Sequence, residues 1–271
     1  AVRLSDADYA RVRERCVQLI RADKTLGTRE AAQFPTIPYN TIQYIYRQCY
    51  HQLESEEEAR IAQRIAVYND KYERGVSIQE ILREEDLYMP IFLHQLVKFR
   101  YKLDDATAKR YLQNPSLLAD PTLESIIKSY NWSGVSIISN HDKIRQSSGL
   151  EYEYLLKESL RNRGIPFQTE VQLRLDGLPK TPDIVLDCPI LIETAKGWKE
   201  VNWIESKAIF GDVYWQNQNA QQFFSYLNRL GPGCVIYWFG FIDGYTLDPR
   251  ITLLSSLPAN IHTIDTLVQC P

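Results

Sequence analysis

The sequence predicts an α/β protein in two parts, an all-α front end followed by a mixed sheet flanked by helices. Three observations carry that expectation. Apolar residues recur at intervals of three and four, in long glycine-free stretches, up to about Tyr111. The texture breaks at Asn114-Pro115 and Asp120-Pro121, which puts a boundary near residues 112–120 and domains at 1–115 and 116–271. From Gly149 onward a helical run is followed by several strand-like runs, another helix and an apolar strand. A chain of 271 residues can bury a core in each part without covalent staples.

In the front end, Asp6 to Arg21 gathers Tyr9, Val12, Cys16, Leu19 and Ile20 on one face, with Arg11, Arg13 and Arg15 largely off it. That is a helix with a solvated basic flank. A short helix, a turn punctuated by Pro35 and Pro38, and a helix capped at Asn40 with Ile42, Ile45, Tyr46 and Cys49 inward come next. Ser77 caps another short helix, and Met89-Pro90 opens a longer one carrying Phe92, Leu93, Leu96, Val97 and Tyr101. Both pairs have helix-turn-helix punctuation, which serves DNA binding in some proteins and plain bundle packing in others. The acidic run from Glu54 to Glu58 reads as a solvated face.

The second part reads as a helix over 123–130, a loop with Trp132 and Gly134, and a helix over 150–162. Strands are then expected over 166–175, 183–186 and 190–194, followed by a turn at 195–197 and a strand over 201–209. A helix over 217–230 and an apolar strand over 234–242 complete the pattern.

Composition excludes several classes. Hydrophobic residues make up 44% and charged residues 24%, and no apolar run approaches the length that spans a bilayer, so neither a membrane protein nor a disordered one is expected. The opening stretch AVRLSDADYARVRERC lacks the apolar segment of a secretory signal, so the expected address is intracellular. Cys16, Cys49, Cys188, Cys234 and Cys270 are scattered and odd in number, which predicts buried thiols rather than a disulfide framework or zinc knuckle. His51, His94, His141 and His262 are equally dispersed, and their spacing reveals no metal cluster. A net charge of −3 leaves no global basic footprint, so any nucleic-acid surface must be local.

Chemistry concentrates around one tripeptide. In NWIESKAIFGD, Glu205 and Lys207 leave a strand on the same face. Alone they would be an ordinary surface ion pair. Their company changes the odds. Pro182-Asp183 puts an acid at the mouth of an apolar strand one hairpin upstream. Glu153, with Leu156 and Leu160 at three and seven positions further on, points toward the face that packs on the sheet. An acid aimed at a core needs a partner, and a cation shared with other carboxylates would be one. Glu151 and Glu158 are nearby alternatives, and the spacing from Gly149 and the helix face favour Glu153. Gln222 and Tyr226 lie one helical turn apart downstream. Trp203, Trp215 and Trp238 read as packing residues rather than base-stacking platforms.

A helix acid, P-D, E-x-K on the next strand and Q-x-x-x-Y on the next helix, in that order, resemble the PD-(D/E)xK nucleases of the restriction-endonuclease-like superfamily. KTPDIVL, WIESKAIFGD and QFFSYLNRLGPGCVIYWFGFI, behind a helix-turn-helix-like front end, are more closely similar to the codanin-interacting nuclease family with its T-P-D motif. The resemblance is strong over 149–242 and looser over the helical half. Ser206 departs from the apolar residue usual between acid and lysine in the superfamily, although the closer family also has serine there. The resemblance implies a restriction-endonuclease-like mixed sheet and a nuclease that hydrolyses nucleic-acid phosphodiesters, DNA above RNA, with Mg²⁺ or Mn²⁺ as cofactor. It implies Asp183 and Glu205 as principal metal ligands, with the Ser206 carbonyl adding an oxygen and Glu153 completing or orienting the shell. Lys207 would hold the attacking water, Gln222 would position that water or a phosphate oxygen, and Tyr226 would support Gln222 or line the substrate groove. It further implies a codanin-like protein scaffold as partner, and the expected intracellular address is nuclear and cytoplasmic if the chain is eukaryotic. The rival reading is a catalytically weak adaptor whose nuclease fold serves as a platform for such a scaffold.

Overall fold

The computed structural model of the chain describes residues 2–263, except 131, 132, 176 and 196, and of residues 133–145 the backbone alone. Strand β1 (Arg3–Leu4) is followed by helices α1 (Asp6–Arg21), α2 (Thr28–Ala31), α3 (Tyr39–Glu73), α4 (Ile78–Glu85), α5 (Met89–Tyr101), α6 (Asp105–Gln113), α7 (Pro121–Ser129) and α8 (Ser133–Asn162). The second half comprises β2 (Phe167–Thr169), α9 (Glu170–Leu175), β3 (Ile184–Thr194), β4 (Gly197–Lys207), α10 (Val213–Leu230), β5 (Gly233–Tyr237), β6 (Phe241–Ile242), β7 (Ile251–Leu254) and β8 (Ile261–His262). Two compact units result. One is built from Ala1–Arg13, Thr28–Ile45 and Asp142–Pro271, the other from Glu14–Gly27 and Tyr46–His141.

Helix limits in the second of these units follow from local chemistry. Ser77, Asp104 and Asp120 each accept a hydrogen bond from a first-turn amide of α4, α6 and α7, satisfying donors that a helix start leaves unpaired. Asp86 and Lys102 end α4 and α5 in the left-handed conformation that releases the chain. Helix α3 runs straight through the acidic run, whose Glu57 is buried and held by both carboxylate oxygens on Arg60. That segment is therefore an internal helical turn with one paired, buried acid, not a wholly solvated face. The core of this unit packs Ile61 and Tyr68 of α3 against Ile81, Phe92, Leu96, Leu123 and Ile127.

The other unit holds a six-stranded sheet in the order β2-β3-β4-β5-β7, with β8 also paired to β3. Strands β2, β3 and β4 run antiparallel, and β4, β5 and β7 run parallel. The parallel step from β4 to β5 is made by α10, because a parallel pair cannot be closed by a short hairpin. Side-chain alternation then splits the core. Ile184, Ile192, Ile204, Cys234 and Ile236 meet Leu156 and Leu160 of α8 on one face. Trp203, Val235 and Tyr237 meet Phe223, Tyr226 and Leu227 of α10 on the other.

Several expected boundaries are corrected. The strand expected over 166–175 stops at Thr169 and gives way to α9, because the Gln172 side chain reaches back over the helix start: its oxygen accepts from the Thr169 amide at 2.8 Å, one half of a capping box. The two strands expected over 183–194 are one, with a register shift between Val185 and Ile190 where Asp187, Cys188 and Pro189 turn outward. Proline cannot donate to a ladder, so the irregularity falls there. Cys188 is accordingly exposed, unlike the buried Cys16, Cys49 and Cys234, while Cys270 and Trp132 lie outside the described residues. The apolar run 234–242 breaks after Tyr237, since Gly240 takes a φ of 96°, and β6 pairs with β1 in a separate two-stranded sheet. Helix α8 begins at Ser133, so Gly134 is helical rather than in a loop. Among the described residues, no helix is long and apolar enough to cross a membrane.

Trp203 is fully buried and its indole N–H donates to the Gly231 carbonyl at 2.9 Å, lying directly over Gly233. A Cβ at Gly233 would overlap ring atoms Cε2 and Cδ2. Gly233→Ala should therefore destabilise the fold by about 1–3 kcal/mol or more, measured as a lower urea midpoint with an unchanged slope.

Candidate active site

The pairing of β3 with β4 builds the site. Ile184 lies opposite Ile204 and Val185 opposite Trp203, so Asp183, one residue before β3, arrives beside the last residues of β4. There the two acids are cross-tied. The Asp183 amide donates to Glu205 Oε2 at 3.3 Å, and the Ser206 amide donates to Asp183 Oδ2 at 2.7 Å. Ser206 thereby ties the end of β4 to the start of β3 through its backbone amide. Its hydroxyl oxygen is occupied on the opposite face of the sheet, where Trp238 Nε1 donates to it at 2.9 Å.

Glu205 is 3% exposed and is engaged on both oxygens. Lys207 Nζ lies 2.8 Å from Oε1, and the Gln222 amide donates to the same oxygen at 3.2 Å. Lys207 also rests over the Phe223 ring, 5.9 Å from its centroid, so α10 supplies the wall against which the ammonium is held. Gln222 donates to the Tyr226 hydroxyl at 2.6 Å, and that hydroxyl donates to the Thr181 carbonyl at 2.9 Å. This relay fixes the Gln222 amide and pins the T-P-D segment to α10. Trp203 packs edge-on against Tyr226, with ring centroids 5.3 Å apart, and Trp238 lies 4.9 Å from the Tyr152 ring.

Glu153 occupies a different position. It is half-buried on α8 and ion-paired with Lys157, one turn further along. No hydrogen bond joins it to the other acids, and its charge is a minor contributor to the raised pKa of Asp183. Of the nearby acids of α8, Glu151 is exposed and Glu158 pairs with Arg161.

Two residues escaped the sequence reading. Glu170 opens α9, donates its amide to the Asp183 carbonyl at 3.2 Å, and raises the pKa of both Glu205 and Tyr226. Thr181 is buried and supplies the carbonyl that Tyr226 needs. The Thr169-x-x-Gln172 spacing was the available signal for the first, since it announces a helix start at Glu170.

Burial dominates the electrostatics. It pushes the Asp183 pKa well up, with the Glu205 charge adding to the effect, and it raises Glu205 despite the opposing Lys207. Two acids share one ammonium in a poorly hydrated place. Asp183 Oδ1 has no hydrogen-bond donor among the described residues, so an all-oxygen donor set with surplus negative charge is available to a hard divalent cation.

The family model described as "Protein of unknown function TPD sequence-motif" matches residues 120–256, which include Thr181, Pro182 and Asp183. A protein of Danio rerio named "CDAN1-interacting nuclease 1" is 31% identical over 281 residues, covering 97% of this chain and 92% of the relative. The Homo sapiens protein of that name is 29% identical over 280 residues, covering 96% and 98%. An uncharacterised protein of Acanthamoeba polyphaga mimivirus is 24% identical over 175 residues, covering 59% and 64%. No solved structure matches. The chain belongs to the CDAN1-interacting nuclease family.

The raised pKa of Asp183 gives a signed prediction. Above the usual carboxylate value of 3.8 and up to the folded pKa, the folded chain keeps a proton that the unfolded chain has released, so stability falls as pH rises through that window. Asp183→Asn removes the ionisation and keeps an oxygen for the Ser206 amide. In chelator-treated protein at about pH 7.5 its thermal midpoint should exceed wild type by about 2–4 °C for each kcal/mol relieved. The gain should vanish near pH 4, and added Mg²⁺ should raise the wild-type midpoint only.

Proposed function

We propose that this chain is a divalent-metal-dependent nuclease of the PD-(D/E)xK kind, hydrolysing phosphodiester bonds of nucleic acid, with DNA as the expected substrate and an endonucleolytic mode. One observation carries the reading: Asp183, Glu205, Lys207 and Gln222, from a strand mouth, a strand end and a helix, meet within one hydrogen-bonded cluster. The chain order α8, β2, β3, β4, α10, β5 supports a restriction-endonuclease-like arrangement.

When bound, Mg²⁺ or Mn²⁺ supplies a hydroxide-like nucleophile near neutral pH and offsets charge developing on the phosphate. Asp183 and Glu205 would hold the cation, the Ser206 carbonyl would add an oxygen, and Glu153 would orient the group from α8. Lys207 would hold a positive charge where the phosphate oxygens gain negative charge, resting over the Phe223 ring. Gln222, its amide fixed by Tyr226, orients the attacking water or a phosphate oxygen. Removing the water shell around these groups strengthens each electrostatic contact. The paired short and long helices, α2 with α3 and α4 with α5, are the candidates for helix-turn-helix contacts to the duplex.

The printed name of the relatives gives CDAN1 as an interacting protein, and we extend to this chain a codanin-like scaffold as partner. Binding and catalysis are separable in this reading.

A cleavage assay with Mg²⁺ on single-stranded, duplex and branched DNA tests the enzyme. Lys207→Ala should lower turnover by about 100- to 1,000-fold, and wild type and variant equally active, or equally inactive on every substrate, would overturn the reading. Pulldown with a codanin-like scaffold should recover wild type and Lys207→Ala equally; loss of capture by the variant would tie the partner to the catalytic cluster instead.

A further inference from the structure

The helical unit carries a second cluster that the nuclease chemistry does not use. Glu58 of α3, His94 of α5 and Asp105, the first residue of α6, bring one ligand atom each to within 4.8 Å of one another. Among the described residues no other three histidine, cysteine or acid side chains meet this closely.

His94 decides what the cluster can hold. Its side chain is 9% exposed, and Nε2 is buried without a hydrogen-bond partner although Asp105 Oδ1 lies 3.4 Å away. Nδ1 is 3.9 Å from Glu58 Oε1. Burial disfavours the charged form of the ring, against the opposing charge of Asp105. A buried ring nitrogen left without a hydrogen-bond partner beside a carboxylate oxygen is unfavourable as it stands. A cation between them reverses the sign. The 3.4 Å separation also suits an ion: two ligands bonded at about 2.0–2.1 Å in a tetrahedron lie about 3.3–3.4 Å apart.

The surroundings limit the ion but leave room for it. Lys109 lies 2.9 Å from Asp105 Oδ2 and Lys98 lies 3.9 Å from Oδ1, so Asp105 can meet an ion through Oδ1 while Lys109 keeps the other oxygen. The Gln95 amide donates to Glu58 Oε1 at 3.3 Å and holds that carboxylate toward the ring. Imidazole with two carboxylates is a donor set for Zn²⁺ and its neighbours rather than for Mg²⁺, which takes oxygen and keeps its waters.

We propose that Glu58, His94 and Asp105 form a zinc-class cation site that fastens α3, α5 and α6 together, with water completing the shell and no part in phosphodiester cleavage. The site is independent of the catalytic cluster, and its failure would leave the nuclease reading untouched.

The test is calorimetric titration of the full chain with Zn²⁺ in an Asp183→Asn background, repeated with Co²⁺ and visible absorption to read the coordination geometry. One equivalent should bind, with tetrahedral cobalt bands and a raised thermal midpoint, and millimolar Mg²⁺ should not displace it. His94→Gln should abolish the bands, and Asp105→Asn, at an exposed helix start where folding is not at stake, should weaken binding at least about tenfold. An isotherm unchanged by both substitutions, or no Zn²⁺ binding at all in the background protein, would overturn the proposal.

Discussion

Two carboxylates brought together under a single ammonium are the constraint around which the sheet unit is arranged. Asp183 and Glu205 repel each other and both lose hydration, so the fold has to force their approach through backbone geometry. It does so with the register of β3 on β4, which is enforced by burial: a slip of one residue would turn Ile184, Ile204 and Trp203 to the wrong faces. Hydrophobic alternation and acid placement are thus the same specification. The amides of Asp183 and Ser206, each given to the other strand's acid, return part of the lost solvation.

The strain in that arrangement is met from the far face of the sheet. Trp203 stacks over Gly233 and beside Tyr226, and the Tyr226 hydroxyl reaches the Thr181 carbonyl, so packing under α10 and positioning of the T-P-D segment are coupled. A site of like charges is unfavourable by itself and persists because the surrounding core over-determines its geometry. Glu153 and Glu170 sharpen the point, since each adds negative potential from a different helix without its carboxylate joining the hydrogen-bonded cluster.

Much of this was legible in the sequence because it depends on periodicity. Glu205 and Lys207 share a face by the two-residue repeat of a strand, and Gln222 and Tyr226 share one by the turn of a helix. Helix starts at Ser77 and Met89 were equally plain, since capping and proline chemistry are local. What failed was what local pattern leaves undecided. Val171, Leu173 and Leu175 alternate like a strand, yet only Leu173 is buried, and the Thr169–Gln172 cap outweighs the alternation. The apolar run after Cys234 hid a break that only the positive φ of Gly240 reveals. The meeting of Glu58, His94 and Asp105 joins three helices across 48 positions of sequence and has no spacing to read.

The hydrogen bond from the Ser206 amide to Asp183 has a meaning apart from chemistry. At that point β4 has outrun β3, and its backbone would otherwise present an open donor to any passing strand. The Asp183 carboxylate stands where a neighbouring strand's carbonyl would be. It closes the ladder with a charged group that a further strand cannot extend, the same device by which natural sheets guard their edges against unwanted pairing. The acid that makes the site therefore also marks where the sheet stops.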